Sequence, residues 1–130
     1  MKTTTSILIA AILCCSCIFI SENKDKELAD RYVDRIETLP NQNGFQKIYE
    51  GKELVAVGHL ADGKKEGFWK FYKDENLMAE GHLSRDIKSG FWKTYYSNGQ
   101  VKEEGHYDNG KKYGYWKYYK PNGKATEKNH

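Results

Sequence analysis

The chain has 130 residues, 30% of them charged, and a formal net charge of only +3. That length predicts one domain, and so even a charge balance is too weak to suggest nucleic-acid recognition by bulk electrostatics, which needs a strongly basic patch. Aromatic residues make up 14%, with ten tyrosines and three tryptophans, and aliphatic residues are sparse after the first twenty positions, which argues against a thick aliphatic core.

The N-terminus differs in kind from the rest. One lysine precedes an apolar run from Ile7 to Ile20. The run is short for a transmembrane helix, which needs about 20 residues, and suits the core of a signal peptide. All three cysteines, Cys14, Cys15 and Cys17, fall inside it, and small Ser16 stands directly before Cys17. The stretch resembles the lipobox of bacterial lipoproteins, in which a signal peptidase cuts before a cysteine that is then lipidated. It departs from that pattern in Cys14, where leucine is preferred, and in the apolar Ile18–Phe19–Ile20 after the cysteine. The resemblance implies a signal peptide over residues 1–16 and lipid on Cys17, with Cys15 as the alternative. The expected location is then the bacterial cell envelope, membrane-anchored. An uncleaved N-terminal membrane anchor and ordinary secretion are the other readings. With Cys17 lipidated, the mature chain keeps no thiol for a disulfide, a nucleophile or a metal site.

Residues 17–43 read as a tether with a short helix. From Glu22 to Thr38, Leu28, Tyr32 and Ile36 are spaced i, i+4, i+8, with Ala29 and Val33 beside them, which makes one apolar stripe. Pro40 and then Asn41 to Gly44 supply turn chemistry. The helix is expected to cap the first edge of the β-structure that begins at Gly44; a spacer or partner-binding helix is the other reading.

From Gly44 onward the chain repeats, and residues 44–126 form about three and a half units before a short tail, 127–130. Gly44, Gly67, Gly90 and Gly114 each open an aromatic word, as in "GFWKTYY". Gly58, Gly81 and Gly105 each open "GHL" or "GHY". The period is 23 residues, then 24 from Gly90 to Gly114. Turns recur about every ten residues, so each unit is predicted to be a hairpin of short strands. Asn98–Gly99 and Asn122–Gly123 are expected to be two-residue type I′ tips. Asp62–Gly63 and Asn109–Gly110 fall in the linking turns.

Counting outward from Asn98–Gly99 sets Tyr96 opposite Val101, Lys93 opposite Glu104 and Trp92 opposite Gly105. Three-residue tips at Asp74–Asn76 and Gly51–Glu53 set Lys70 opposite Glu80, Trp69 opposite Gly81 and Gln46 opposite Gly58. In this register Trp69 is expected to lie over Gly81 and Trp92 over Gly105, ring on bare backbone. Side chains alternate across a strand. One face therefore carries Trp69, Phe71, Trp92, Tyr96, Trp116 and Tyr118 and is expected to be buried. The other carries Phe68, Lys70 and Tyr72, then Phe91, Lys93 and Tyr95, then Tyr115, Lys117 and Tyr119, and is expected to be wet and to supply any binding surface.

The words Gly67–Tyr72, Gly90–Gly99 and Gly114–Gly123 are similar to the bacterial MORN-repeat variant, a family that includes proteins described as YwqK-like antitoxins. The closest piece is "GHYDNGKKYGYW", Gly105 to Trp116, and the match covers roughly two thirds of the chain. It implies a mainly β fold of tandem antiparallel hairpins in an elongated twisted sheet, here with an N-terminal helix. It also implies an interaction module. The chain departs at Gln46, where tryptophan is expected, and at Asp86–Ile87, where the linking turn lacks glycine. The first unit is thus a degenerate cap.

His59, His82 and His106 share one phase. Equivalent positions lie two strand spacings, about 9.5 Å, apart, while zinc needs nitrogens at about 2.1 Å, so neither a metal nor another cofactor is expected. The lysine–acid pairs recur once per unit, as a structural ladder does, whereas a catalytic pair is a singular constellation in a pocket. No catalytic residues and no enzyme are expected. The favoured reading is a protein-binding scaffold tethered to the membrane through Cys17, its partner an unidentified protein and no nucleic acid. The alternatives are an antitoxin or immunity protein against one toxin, and glycan or peptidoglycan binding by exposed rings. Tryptophans facing solvent would favour the last, and tryptophans packed on glycines would count against it.

Overall fold

The computed structural model describes residues 42–130 and, ahead of them, Val33. Its eight strands are β1 (Gly44–Glu50), β2 (Glu53–Ala61), β3 (Lys64–Lys73), β4 (Asn76–Ser84), β5 (Ile87–Tyr95), β6 (Val101–Asp108), β7 (Lys111–Tyr119) and β8 (Ala125–Asn129). They form one antiparallel sheet whose spatial order is the chain order. The chain is therefore mainly β, four hairpin units laid side by side with no crossover. Cys17 and the helix expected over residues 22–38 lie outside the described residues, save Val33, which is buried in the sheet's core cluster. Among the described residues no helix is long and apolar enough to cross a membrane.

The inboard register agrees with the count from the sequence. Gln46 faces Gly58, Trp69 faces Gly81, Lys70 faces Glu80, Trp92 faces Gly105 and Lys93 faces Glu104. The tips differ. Lys73 faces Asn76, so the second tip has two residues, Asp74 and Glu75, both at positive φ (50° and 64°). Glu50 faces Glu53, which leaves a two-residue first tip as well. The residue assigned to each tip by counting is displaced inward as a bulge: Tyr49 faces Leu54 and Ile48 faces Ala56, which leaves Val55 unopposed. Met78 and Lys102 are skipped in the same way. At the third tip the Tyr96 N–H donates to the Gln100 carbonyl and the Gly99 N–H to the Tyr96 carbonyl, at 2.8 and 2.9 Å. Only Gly99 there is left-handed, at φ 84°, so this is a three-residue loop rather than a type I′ pair. Tyr95, not Tyr96, faces Val101. Loop length and bulge offset each other, which is why the inboard count holds.

The two glycine series have separate causes. Gly90 sits inside β5 at φ 63°, where the pairing jumps from Gly81–Trp92 to His82–Ser89. A left-handed residue within a strand is a bulge that a side chain would strain. Gly67 and Gly114 repeat it. Gly58, Gly81 and Gly105 have ordinary φ but no room. A Cβ there would stand 2.2, 2.4 and 2.3 Å from the rings of Trp69, Trp92 and Trp116. This corrects the expected pairing of rings and glycines. Trp92 covers Gly81, Trp116 covers Gly105 and Trp69 covers Gly58. Each ring reaches across the junction to the glycine of the preceding unit, rather than across its own hairpin.

Those three tryptophans are at most 2% exposed, and with Phe71, Ala79, Leu83, Val55, Ala56 and Leu60 they make the core. Their indole N–H groups donate to the carbonyls of His59, His82 and His106 at 3.0, 2.8 and 2.9 Å. The buried ring thus leaves no unpaired donor.

Candidate functional site

The opposite face carries the nine residues singled out as a binding surface, in a fixed order along each strand. Phe68, Phe91 and Tyr115 are exposed, at 47, 40 and 72%, and Phe45 continues the row in β1 at 58%. Each phenylalanine meets the histidine opposite it edge to face. Phe45–His59, Phe68–His82 and Phe91–His106 have centroids 5.6, 5.3 and 5.3 Å apart. Such contacts contribute about 0.5–1.5 kcal/mol and fix the rings in place. The histidines are therefore spacers between phenylalanines. Among the described residues no group of three or more histidines and acids is placed to hold a metal ion.

One step along the strands lies a charged ladder. Lys70 pairs with Glu80 at 4.0 Å, Lys93 with Glu104 at 3.4 Å and Lys117 with Glu127 at 3.8 Å. These are largely solvated pairs of small energetic value. Tyrosines cross the junctions to the same acids. The Tyr95 hydroxyl donates to Glu80 at 2.5 Å and the Tyr119 hydroxyl to Glu104 at 2.7 Å. Burial first, then the bond to Glu80 and the negative charge of Glu80 and Glu104, holds the Tyr95 hydroxyl above its usual range. The bond to Glu104 is the main cause of the same upward shift at Tyr119. Tyr72 stands in a different setting, because Val57 faces Lys70 where Glu80 faces Lys93. It lines an open cleft of about 830 Å³ with Tyr49, Leu54, Lys52 and the acids Glu53, Asp74 and Glu75.

The nine residues therefore share a face but divide by task. Phe68, Phe91 and Tyr115 present ring surface to solvent. Tyr95 and Tyr119 are engaged by carboxylates, Lys70, Lys93 and Lys117 flank them, and Tyr72 faces the cleft.

The sequence holds a second repeated row, of the same parity as the tryptophans, that the assignment of the two faces left out. Lys65, Lys88 and Lys112 stand two residues before Gly67, Gly90 and Gly114, and they run along the tryptophan face. Lys65 and Lys88 are 6 and 9% exposed. Lys88 Nζ lies 5.1 Å from the Trp92 ring and 5.4 Å from the Tyr107 ring. Lys112 Nζ lies 4.0 Å from the Trp116 ring and bonds Glu103 at 2.8 Å. Lys65 Nζ is 3.6 Å from Asp86. A desolvated ammonium over indole is stabilised by about 2 kcal/mol, which is how lysine is tolerated here. The signal is a lysine at fixed phase, four residues before each tryptophan. The even spacing keeps lysine and tryptophan on one face, although the glycine bulge lies between them.

No family model and no curated protein matches the chain. Among solved structures it is similar to one described as the crystal structure of TarM, at 17% identity and a TM-score of 0.44, over 86% of this chain and 26% of that one.

Proposed function

We propose that this is a non-enzymatic, MORN-like repeat protein, tethered to the bacterial cell envelope through Cys17, whose exposed sheet face binds a protein partner. One observation carries the reading: Phe45, Phe68, Phe91 and Tyr115 form a row of exposed rings, one per unit. Rigid aromatic side chains give large contact area at low entropic cost and are favoured at binding hot spots. Here cross-strand histidines hold three of them before any partner arrives. The burial of all three tryptophans over glycine supports a protein partner over a glycan. The MORN-like assignment draws support from the repeated words and from the unbroken order of hairpins.

The test is crosslinking and affinity capture from envelope fractions. Wild type is compared with the triple variant Phe68→Ala, Phe91→Ala, Tyr115→Ala, and with Lys124→Ala, an exposed residue beside the last tip, as control. A partner captured by wild type and by the control, and lost with the triple variant, supports the scaffold. A capture profile indifferent to the row sinks it. The tether is tested separately: with lipoprotein signal peptidase inhibited, unprocessed precursor should accumulate, and its absence would rule out Cys17.

A further inference from the structure

Three junctions join the four units, and all are fastened alike. The tryptophan of each incoming strand lies on the glycine of the strand before it: Trp69 on Gly58, Trp92 on Gly81, Trp116 on Gly105. Its indole N–H bonds the carbonyl of the residue after that glycine. Two junctions add a tyrosine–glutamate bond, Tyr95 to Glu80 and Tyr119 to Glu104.

The outer strands carry the two halves of a fourth junction. β8 is the second strand of its unit and β1 the first strand of its own, and each pairs with one neighbour among the described strands. The register fixes which residues stand in the fastening positions. Gln46 faces Gly58 as Trp69 faces Gly81 and Trp92 faces Gly105. Gln46 therefore holds the tryptophan's place. Trp116 faces Lys128, because the fourth hairpin lacks the bulge of the other three, so Lys128 holds the glycine's place. The polar half of the fastening is intact. Lys47 and Tyr49 stand where Lys93 and Tyr95 do in β5, and Glu127, opposite Lys117, stands where Glu104 does opposite Lys93.

We infer that β1 and β8 form an interface for a second copy of this chain, head to tail, that is blocked at two positions: Gln46 and Lys128 stop the sheet from growing copy onto copy. An open sheet edge is a template for another strand, and a head-to-tail contact between two different surfaces leaves a free end on each copy, so it continues into a filament unless the rotation closes a ring. Each residue of β8 is exposed. A side chain at the glycine position would run into the covering ring, as a Cβ at Gly105 would at 2.3 Å. Glutamine at the tryptophan position removes the ring altogether. The block thus acts from both sides, and either substitution alone leaves it in force.

The experiment uses the full-length chain in detergent and reads mass by light scattering after size exclusion. Wild type, Gln46→Trp and Lys128→Gly should each run as one species of constant mass. Mixing the two single variants should give a one-to-one pair that grows no further, since each supplies one repaired end. The double variant should give a ladder of multiples that lengthens with concentration. Adding Tyr49→Phe and Glu127→Gln should shorten that ladder. A mixture that stays monomeric while both variants keep wild-type circular dichroism would overturn the inference. So would a closed dimer of the double variant, or a wild type that already forms the ladder.

Discussion

At the scale of single residues, glycine does two different jobs in this chain, and each is open to test. Gly81 is constrained by space: an added Cβ meets the Trp92 ring at 2.4 Å, and the ring cannot withdraw without losing its bond to the His82 carbonyl. Gly81→Ala should therefore lower unfolding stability by about 2 kcal/mol, the usual cost of forced overpacking, as measured by urea denaturation. The tyrosine–glutamate bonds make a pH prediction. The Tyr95 hydroxyl is raised above its ordinary value near 10. The folded state then holds this proton more tightly than the unfolded chain does, so between the two values the unfolded state binds fewer protons. Stability from this group is fully present below about pH 10 and falls as pH rises through the folded value. Denaturation curves between about pH 9 and pH 11.5 should show wild type losing stability more steeply than Tyr95→Phe. Lysine deprotonation is common to both proteins and drops out of the difference. Equal slopes would mean that neither burial nor Glu80 holds the hydroxyl proton in the folded state.

At the scale of the element, each hairpin combines a tip and a bulge, and the tips are not equally relaxed. Asp74 and Glu75 both adopt left-handed φ, while the third and fourth tips place glycine there, at Gly99 and Gly123. A non-glycine residue in this region costs about 1–2 kcal/mol, and glutamate lacks the short side chain that makes aspartate tolerable. Glu75→Gly should stabilise the protein by about 1 kcal/mol in chemical denaturation. The hairpins were legible in the sequence because glycines and aromatic words recur at a fixed period, and any loop assignment that preserves the period returns Trp92 opposite Gly105. What was not legible is where the extra residue goes. A three-residue tip and a two-residue tip with a bulge have the same length, and only the backbone distinguishes them; Met78 carries no mark of being skipped. The covering of Gly81 by Trp92 rather than Trp69 escaped for a related reason. Both tryptophans face that glycine, one from each side, and side-chain lean along the sheet is not encoded in pairing. The exposed ring row was legible from parity alone. The buried lysines share the tryptophans' parity but were not legible as buried, because the residue type argues for solvent and only the structure shows the indole of the same strand lying over the ammonium.

At the scale of the whole molecule, every strand among the described residues pairs only with its neighbours in sequence, so stability behaves as a one-dimensional sum of unit and junction terms. The terms are unequal. The junctions about Trp69, Trp92 and Trp116 each bury an indole, whereas β8 is exposed throughout and carries a lysine where the other units have glycine. Native-state hydrogen exchange should therefore grade along the sheet, with β8 amides opening at the lowest free energy and those of β3 to β6 at the highest. Trp92→Ala probes the coupling itself. It removes the ring over Gly81 and the bond to His82 at the central junction and should cost about 3–5 kcal/mol. Because no strand among the described residues bypasses that junction, the loss should not spread evenly. Amides of β1 to β4 should become one exchange block and those of β5 to β8 another, the second opening more readily because it keeps fewer buried apolar residues. A uniform drop in protection from β1 to β8 would mean instead that the sheet unfolds as a single cooperative body, and that the junctions do not act as separate fasteners.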